Sequence, residues 1–129
     1  MKPQLSISES EWRVMKIIWD SPPRTLPEIL DRLKGTGWSK TTIQTYLARL
    51  VKKGALSTER RGKGYLYYPA AAEEDCQLAE GRSFLNRVYE GSLSKMVLGF
   101  VNSGSLSREE LQELRELLNR QEESHDDSQ

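Results

Sequence analysis

Residues 39–54 carry the side chains best suited to a chemical task, and that task is contact with a polyanion. The segment contains four Lys or Arg residues and no Asp or Glu. On a helical wheel, the face opposite the apolar residues carries polar or small side chains. They are uncharged near the start of that face and basic toward its end. Short polar side chains can reach DNA base edges, and the later cations can bind phosphate. The candidate DNA contacts are Ser39, Lys40, Thr41, Thr42, Gln44, Thr45, Arg49 and Lys52.

Three of these side chains, Gln44, Thr42 and Thr45, are the candidates for base recognition. Gln pairs with adenine edges, and a Thr methyl group can touch thymine. The competing interpretation is an ordinary solvated helix face. Such faces usually mix both charge signs, as residues 109–120 do. The absence of acid from residues 39–54 therefore favours DNA contact.

A second basic cluster consists of Arg60, Arg61 and Lys63, interrupted by Gly62 and Gly64. The pattern predicts a hairpin turn over residues 60–64 that clamps the sugar-phosphate backbone or the adjacent minor groove. The alternative is a hairpin tip that only increases solubility.

The charge is divided between the two halves of the chain. The 129 residues include 19 basic and 19 acidic side chains, but residues 1–70 hold 13 of the basic and 6 of the acidic ones. The first half is thus net positive, and residues 71–129 are net negative by the same amount. Such asymmetry predicts that one half meets a polyanion and the other does not.

Catalytic and metal-binding groups are scarce. The chain has one cysteine, Cys76, and one histidine, His125. We therefore expect no metal site, no cofactor and no enzymatic activity. Because there is no run of about 18 apolar residues and no leader pattern near Met1, we expect a cytoplasmic protein that does not insert into membranes.

Capping motifs mark the elements that position the two basic clusters. Ser8–Glu11 and Thr25–Glu28 each read as a capping box, and Ser39 reads as a third helix start. The predicted helices span about residues 9–20, 26–34 and 40–53, and the predicted strands span residues 56–58 and 65–68, with a minimal extra strand near Arg24. This order predicts a winged helix-turn-helix DNA-binding domain over residues 1–70, mainly α with a small β-hairpin.

The acidic half is expected to be a helical dimerisation domain over residues 71–122. Its helices should span residues 73–89 and 92–102, with a third after a capping box at Ser107, and residues 123–129 should form a disordered tail. The middle helix is short and very apolar, so it needs a partner. A second copy is the simplest one, and packing against the first half of the same chain is the alternative. The expected dimerisation residues are Leu85, Val88, Tyr89, Leu93, Met96, Val97, Phe100, Val101, Leu111, Leu114 and Leu118.

The chain as a whole resembles the BlaI/MecI family of penicillinase repressors, which also includes the CopY-type copper repressors. The matching stretches occur in both halves and in the same order, from about Leu5 to Arg120. They are residues 7–19, 38–45, 49–54, 84–91, 96–101 and 106–111.

The resemblance implies a homodimeric, sequence-specific DNA-binding repressor on a palindromic operator in a β-lactam-resistance-type system. It also implies a membrane metallopeptidase sensor that signals β-lactam, after which the repressor is cut in its dimerisation half. The corresponding bond here is Gly99–Phe100, with Gly99 where the best-known members have Asn. Thr41 and Gln44 stand where those members have Lys and Arg, and no Cys-x-Cys pair is present for copper sensing. The alternatives are a ligand-responsive winged-helix regulator and a winged-helix interaction adaptor that does not bind DNA.

Overall fold

The computed structural model describes residues 6–127, with side chains described up to residue 124. It contains six α-helices and three short strands over this range. In chain order these are α1 (Glu9–Asp20), β1 (Arg24–Thr25), α2 (Leu26–Arg32), α3 (Lys40–Lys53), β2 (Leu56–Arg61), β3 (Gly64–Pro69), α4 (Glu73–Tyr89), α5 (Leu93–Asn102) and α6 (Arg108–Asp127). A single 3-10 turn, Lys34–Thr36, joins α2 to the segment before α3. None of the described helices is both long and apolar enough to cross a membrane.

The helix starts follow the capping motifs. Ser8 and Glu11 form a complete capping box at α1, and Thr25 and Glu28 form another at α2. At α6 the same reciprocal bonds join Ser107 and Glu110. Each box satisfies backbone N–H groups that the first helical turn leaves without a partner. The positions of these helix starts are therefore confirmed.

The sheet is antiparallel with strand order β1-β3-β2. The extra strand expected near Arg24 is present and pairs with β3 at Tyr67. The hairpin differs from the expected turn over residues 60–64, because Arg60 and Arg61 belong to β2. Gly62 has φ of +61°, and Lys63 is not among the positive-φ residues. This pattern closes a hairpin with two loop residues, so strand pairing continues farther toward the tip than expected.

The first of two compact units, Met1–Ser83, holds the apolar core. The core side chains come from α1, α2 and α3, from residues that directly flank these helices, from the start of β2 and from the first half of α4. They are Ile7, Val14, Met15, Ile18, Ile29, Leu33, Ile43, Leu47, Leu50, Ala55, Leu56 and Cys76. Because Cys76 is part of this core, the boundary between the units lies inside α4, beyond the change of charge sign after residue 70.

The second unit, Phe84–Gln129, contains the end of α4 with α5 and α6. Helix α6 continues to Asp127, whereas residues 123–129 were expected to be disordered. No Gly or Pro occurs between Arg108 and Asp127 to end the helix, which explains its greater length. Residues 128 and 129 lie outside the described part of the chain.

An ion pair between a buried carboxylate and a partly exposed lysine joins the start of α1 to the end of α3. The Glu11 side chain is 1% exposed, and its Oε1 accepts hydrogen bonds from Lys53 Nζ and from the Ser8 backbone N–H. Lys53 Nζ also donates to the Ser6 carbonyl oxygen over 2.7 Å. Among the described residues, Glu11 Oε2 is a buried oxygen without a hydrogen-bond partner. The carboxylate therefore depends strongly on Lys53 for compensation of its charge.

Opposing effects set the pKa of Glu11. Burial raises the pKa, but hydrogen bonds from Lys53 and Ser8 and the Lys53 charge outweigh burial and hold it below its ordinary value of 4.5. A depressed pKa in the folded state stabilises the protein above the unfolded pKa. This contribution is lost as the pH falls through the folded pKa, so the pair stabilises the first unit at neutral pH and not in strong acid.

Replacing Lys53 by Met should destabilise the first unit by about 3 kcal/mol, because it leaves the Glu11 carboxylate buried without its cation. This figure is the lower end of the range for buried pairs, since the Lys53 side chain is 33% exposed. The matched control is Lys52→Met, which removes an exposed neighbouring cation and should change the free energy of unfolding little. Urea unfolding at pH 7 measures both values.

The same measurement below pH 4.5 tests the cause. The difference between wild type and Lys53→Met should shrink there, because protonation removes the uncompensated charge of Glu11 in the variant. Equal losses for Lys52→Met and Lys53→Met, or a difference that does not change with pH, would contradict the role of the pair.

Candidate nucleic-acid interface

One face of helix α3 is buried in the core of the first unit, and the opposite face is exposed. Ile43, Leu47 and Leu50 are buried, and they lie on one face at helical spacing. Ser39 caps the start, since its side chain accepts from the Thr42 backbone N–H. At the end, Gly54 adopts φ of +87°, a left-handed conformation that glycine takes at low cost. Both ends and the inner face therefore fix which side chains point outward.

The outward face of α3 matches the set expected from the wheel, with two refinements. The exposed members are Lys40, Thr41, Gln44, Thr45, Ala48, Arg49 and Lys52. Thr42 is half-buried, and its hydroxyl accepts a hydrogen bond from Ser39 Oγ over 3.0 Å. The Thr45 hydroxyl donates to the Thr41 carbonyl oxygen over 3.0 Å. Among the described residues, Gln44 is thus the base-contact candidate whose polar groups have no hydrogen-bond partner.

Lys53 does not belong to the outward set, although it is one of the four cations of residues 39–54. Its ammonium group turns back to Glu11 and Ser6. The three remaining cations, Lys40, Arg49 and Lys52, are exposed. No sequence pattern within α3 separates Lys53 from Lys52, because the difference depends on a partner 42 residues away.

The wing, which we define as residues 56–69 of β2, β3 and their turn, presents its basic side chains on different sides. Arg60 pairs in register with Tyr65, and Arg61 pairs with Gly64. Successive side chains on a strand point to opposite faces, so Arg60 and Arg61 diverge. Lys63 lies at the tip. All three cations are exposed, as expected, but the two arginines do not form one patch.

Acidic and aromatic groups accompany the two arginines. Glu59 lies on the Arg61 face, and its Oε2 accepts a hydrogen bond from the Tyr68 hydroxyl over 2.9 Å. This bond to a carboxylate raises the pKa of Tyr68. Tyr65 is 48% exposed opposite Arg60. Sequence patterns explain Tyr65 as an ordinary strand residue, and only the strand register reveals that it lies beside a cation.

The apolar side chains of the second unit are not enclosed by that unit. None of the described side chains of residues 84–124 is buried. Leu93 is 57% exposed and Phe100 is 45% exposed. Val88, Val101, Leu111 and Leu118 are also exposed, whereas Leu85, Tyr89, Met96, Val97 and Leu114 are half-buried. All eleven side chains expected at a dimer interface therefore retain accessible surface.

Comparison with known proteins gives consistent matches. The chain is 43% identical to the penicillinase repressor of Bacillus licheniformis over 119 residues, which cover 92% of this chain and 93% of that protein. It is 36% identical over 115 residues to the methicillin resistance regulatory protein MecI of Staphylococcus aureus strain N315, covering 88% of this chain and 94% of that protein.

A solved structure matches more than half of the chain. The solution structure of monomeric Bacillus licheniformis BlaI in complex with the blaP half-operator aligns with a TM-score of 0.50 and 42% identity. The alignment covers 58% of this chain and 93% of that chain. Together with the three-helix and hairpin arrangement described above, it confirms the expected winged-helix fold. Because residues 7–120 match the family described as Penicillinase repressor, the chain belongs to that family.

Proposed function

We propose that this chain is a sequence-specific transcriptional repressor that binds duplex DNA through α3 and the wing. The observation that carries the proposal is the outward face of α3, which is polar at its start, basic toward its end and free of acid. A recognition helix places such a face in the major groove. The related BlaI structure, solved with a half-operator, supports the same use of this fold.

The exposed residues divide into two roles. Gln44 has a side-chain amide able to form two hydrogen bonds with adenine, so it is the first candidate for reading a base. Arg49, Lys52 and Lys63 carry exposed cations, which suit phosphate and hold the protein on the duplex without reading sequence. Arg60 and Tyr65 form one face of the wing and suit the sugar-phosphate backbone beside the groove.

The second unit serves to join two copies of the chain. Its described side chains include no buried residue, although α5 carries Leu93, Phe100 and Val101. Apolar surface of this extent is stabilised when a partner covers it. A second copy supplies the same surface, and a two-fold dimer places two winged-helix domains on a palindromic operator.

Release of the operator follows from a cut in α5. Gly99 and Phe100 are exposed near the end of that helix. A protease needs an extended segment, and glycine inside a helix costs about 1 kcal/mol relative to alanine, so α5 unwinds more readily here. Two linked winged-helix domains bind about 10²–10⁴-fold more tightly than separate ones, so loss of the dimer empties the operator. In the β-lactam-resistance-type system that the family resemblance suggests, a membrane metallopeptidase sensor makes this cut in the cytoplasm.

Gln44→Ala should lower affinity for the preferred site by about 1–3 kcal/mol and leave random-sequence DNA nearly unaffected. The matched variant, Lys63→Gln, should weaken both DNAs alike and reduce the slope of log K against log salt by about 0.9 per bound chain. Titration of a duplex selected from a random pool, and of a random duplex of equal length, measures both effects. Equal losses for Gln44→Ala on the two DNAs would show that it does not read sequence.

Phe100→Glu should convert the chain to a monomer, because it places a charge within an apolar surface that two copies bury. The control is Lys95→Glu, which changes charge on the opposite side of α5, where Lys95 pairs with Glu90. Sedimentation equilibrium measures the mass of each variant. If the wild type is monomeric, or if Phe100→Glu remains dimeric, this surface does not hold the dimer.

Gly99→Ala should slow cutting about fivefold, because it stabilises α5 by about 1 kcal/mol. Apart from its chain neighbours and the backbone of its own helix, a Cβ atom at this position would meet no atom within 4 Å, so the substitution adds no clash. The control is Ser94→Ala, which stabilises the same helix to a smaller degree without changing the cut bond. Mass spectrometry of the repressor from β-lactam-treated cells should find a fragment ending at Gly99. Full-length protein together with full derepression would favour an effector ligand instead.

A further inference from the structure

Arg13 on α1 reaches the segment that leads into α3. Its Cζ atom lies 6.0 Å from the centre of the Trp38 ring, a cation–π distance. Trp38 immediately precedes Ser39, the residue that caps α3. The Trp38 ring packs edge-on against the Tyr46 ring, with centroids 5.1 Å apart. The backbone N–H of Trp38 donates a hydrogen bond to Thr36 Oγ1 over 3.1 Å. Contacts with Tyr46 and Thr36 therefore hold Trp38, the residue whose ring faces the Arg13 guanidinium.

Among the described residues of the first unit, none forms an ion pair with Arg13. In the described part of the chain, no carboxylate lies within salt-bridge distance of its guanidinium, and the side chain is exposed. Lys16, one turn farther along α1, differs in this respect. Its ammonium group lies 6.0 Å from the Trp12 ring centre and also pairs with Glu73 over 2.7 Å. Helix α1 thus carries one neutralised cation and one cation that needs an anion.

The surroundings of Arg13 favour an anion from outside the chain. The first turn of α3 contains no acidic residue, and Lys40 is exposed beside the cap. In helix-turn-helix proteins the start of the recognition helix enters the groove while a neighbouring helix crosses the DNA backbone, so a cation on a helix beside that start faces phosphate. A guanidinium also binds phosphate through a planar fork of donors, and stacking on an aromatic ring limits its freedom before binding.

We propose that Arg13 binds a DNA phosphate beside the start of α3, with Trp38 holding its guanidinium in place. The proposal rests on the DNA-binding function proposed above and adds a contact from α1 to those of α3 and the wing. Arg13 is a positioning residue, because a phosphate contact fixes the register of α3 on the duplex without reading a base.

The test compares Arg13→Gln with Lys16→Gln in full-length protein on the selected duplex and on the random duplex. Arg13→Gln should weaken both DNAs alike and reduce the slope of log K against log salt by about 0.9 per bound chain. Lys16→Gln should leave the slope unchanged, since Glu73 already neutralises that cation. Arg13→Lys should keep most of the wild-type slope of log K against log salt. Arg13→Glu should bind DNA more weakly than Arg13→Gln.

Urea unfolding of the same variants separates binding from packing. If Arg13 only packs on Trp38, Arg13→Gln should lower the unfolding midpoint and leave the salt slope as in wild type, which would overturn the proposal. A slope that falls equally for Arg13→Gln and Lys16→Gln would overturn it as well, because the effect would then reflect general charge. Wild-type protein that shows no salt-dependent DNA binding would instead refute the proposed function itself.

Discussion

The position of α3, the helix proposed to read DNA, depends on the buried carboxylate of Glu11. This one side chain completes the capping box of α1 and, through Lys53, binds the last turn of α3. A charge with 1% exposure is tolerated only where a cation and hydrogen bonds replace water. The two helices are therefore held in register by a polar contact in a core that is otherwise almost entirely apolar, and the outward face of α3 is fixed as a consequence.

The helix starts are predictable from sequence because they depend on neighbouring residues. Features that depend on partners far along the chain are not predictable in this way. Ser8, Thr25 and Ser107 identified three helix starts because a capping box needs only four consecutive residues. The inward turn of Lys53 was not predictable, since its partner lies on another helix. The predicted length of β2 is too short because charged residues such as Arg60 and Arg61 are typical of a turn, whereas the positive φ of Gly62 lets strand pairing continue up to the tip.

The two units reach stability by different routes. The first encloses side chains such as Met15, Ile18 and Leu47 within its own helices. In the described part of the second, Leu93 and Phe100 remain exposed to solvent, and side-chain caps at Ser92 and Ser107 stabilise the starts of α5 and α6. A small domain of that kind gains little from its own burial. In the dimer proposed above, the free energy of folding of this unit is tied to association, which makes the unit a suitable place to control the whole protein.

In the proposed complex with DNA, the hydrogen bond from the Thr45 hydroxyl to the Thr41 carbonyl affects the kind of base that α3 favours. With that hydroxyl directed along its own helix, the side chain offers its methyl group, and the methyl group of Ala48 lies one turn away on the same exposed face. A surface of two methyl groups favours the C5-methyl of a pyrimidine. Thymine and 5-methylcytosine share that methyl, so enzymatic methylation of cytosine in the bound DNA would imitate a thymine at this point of the helix.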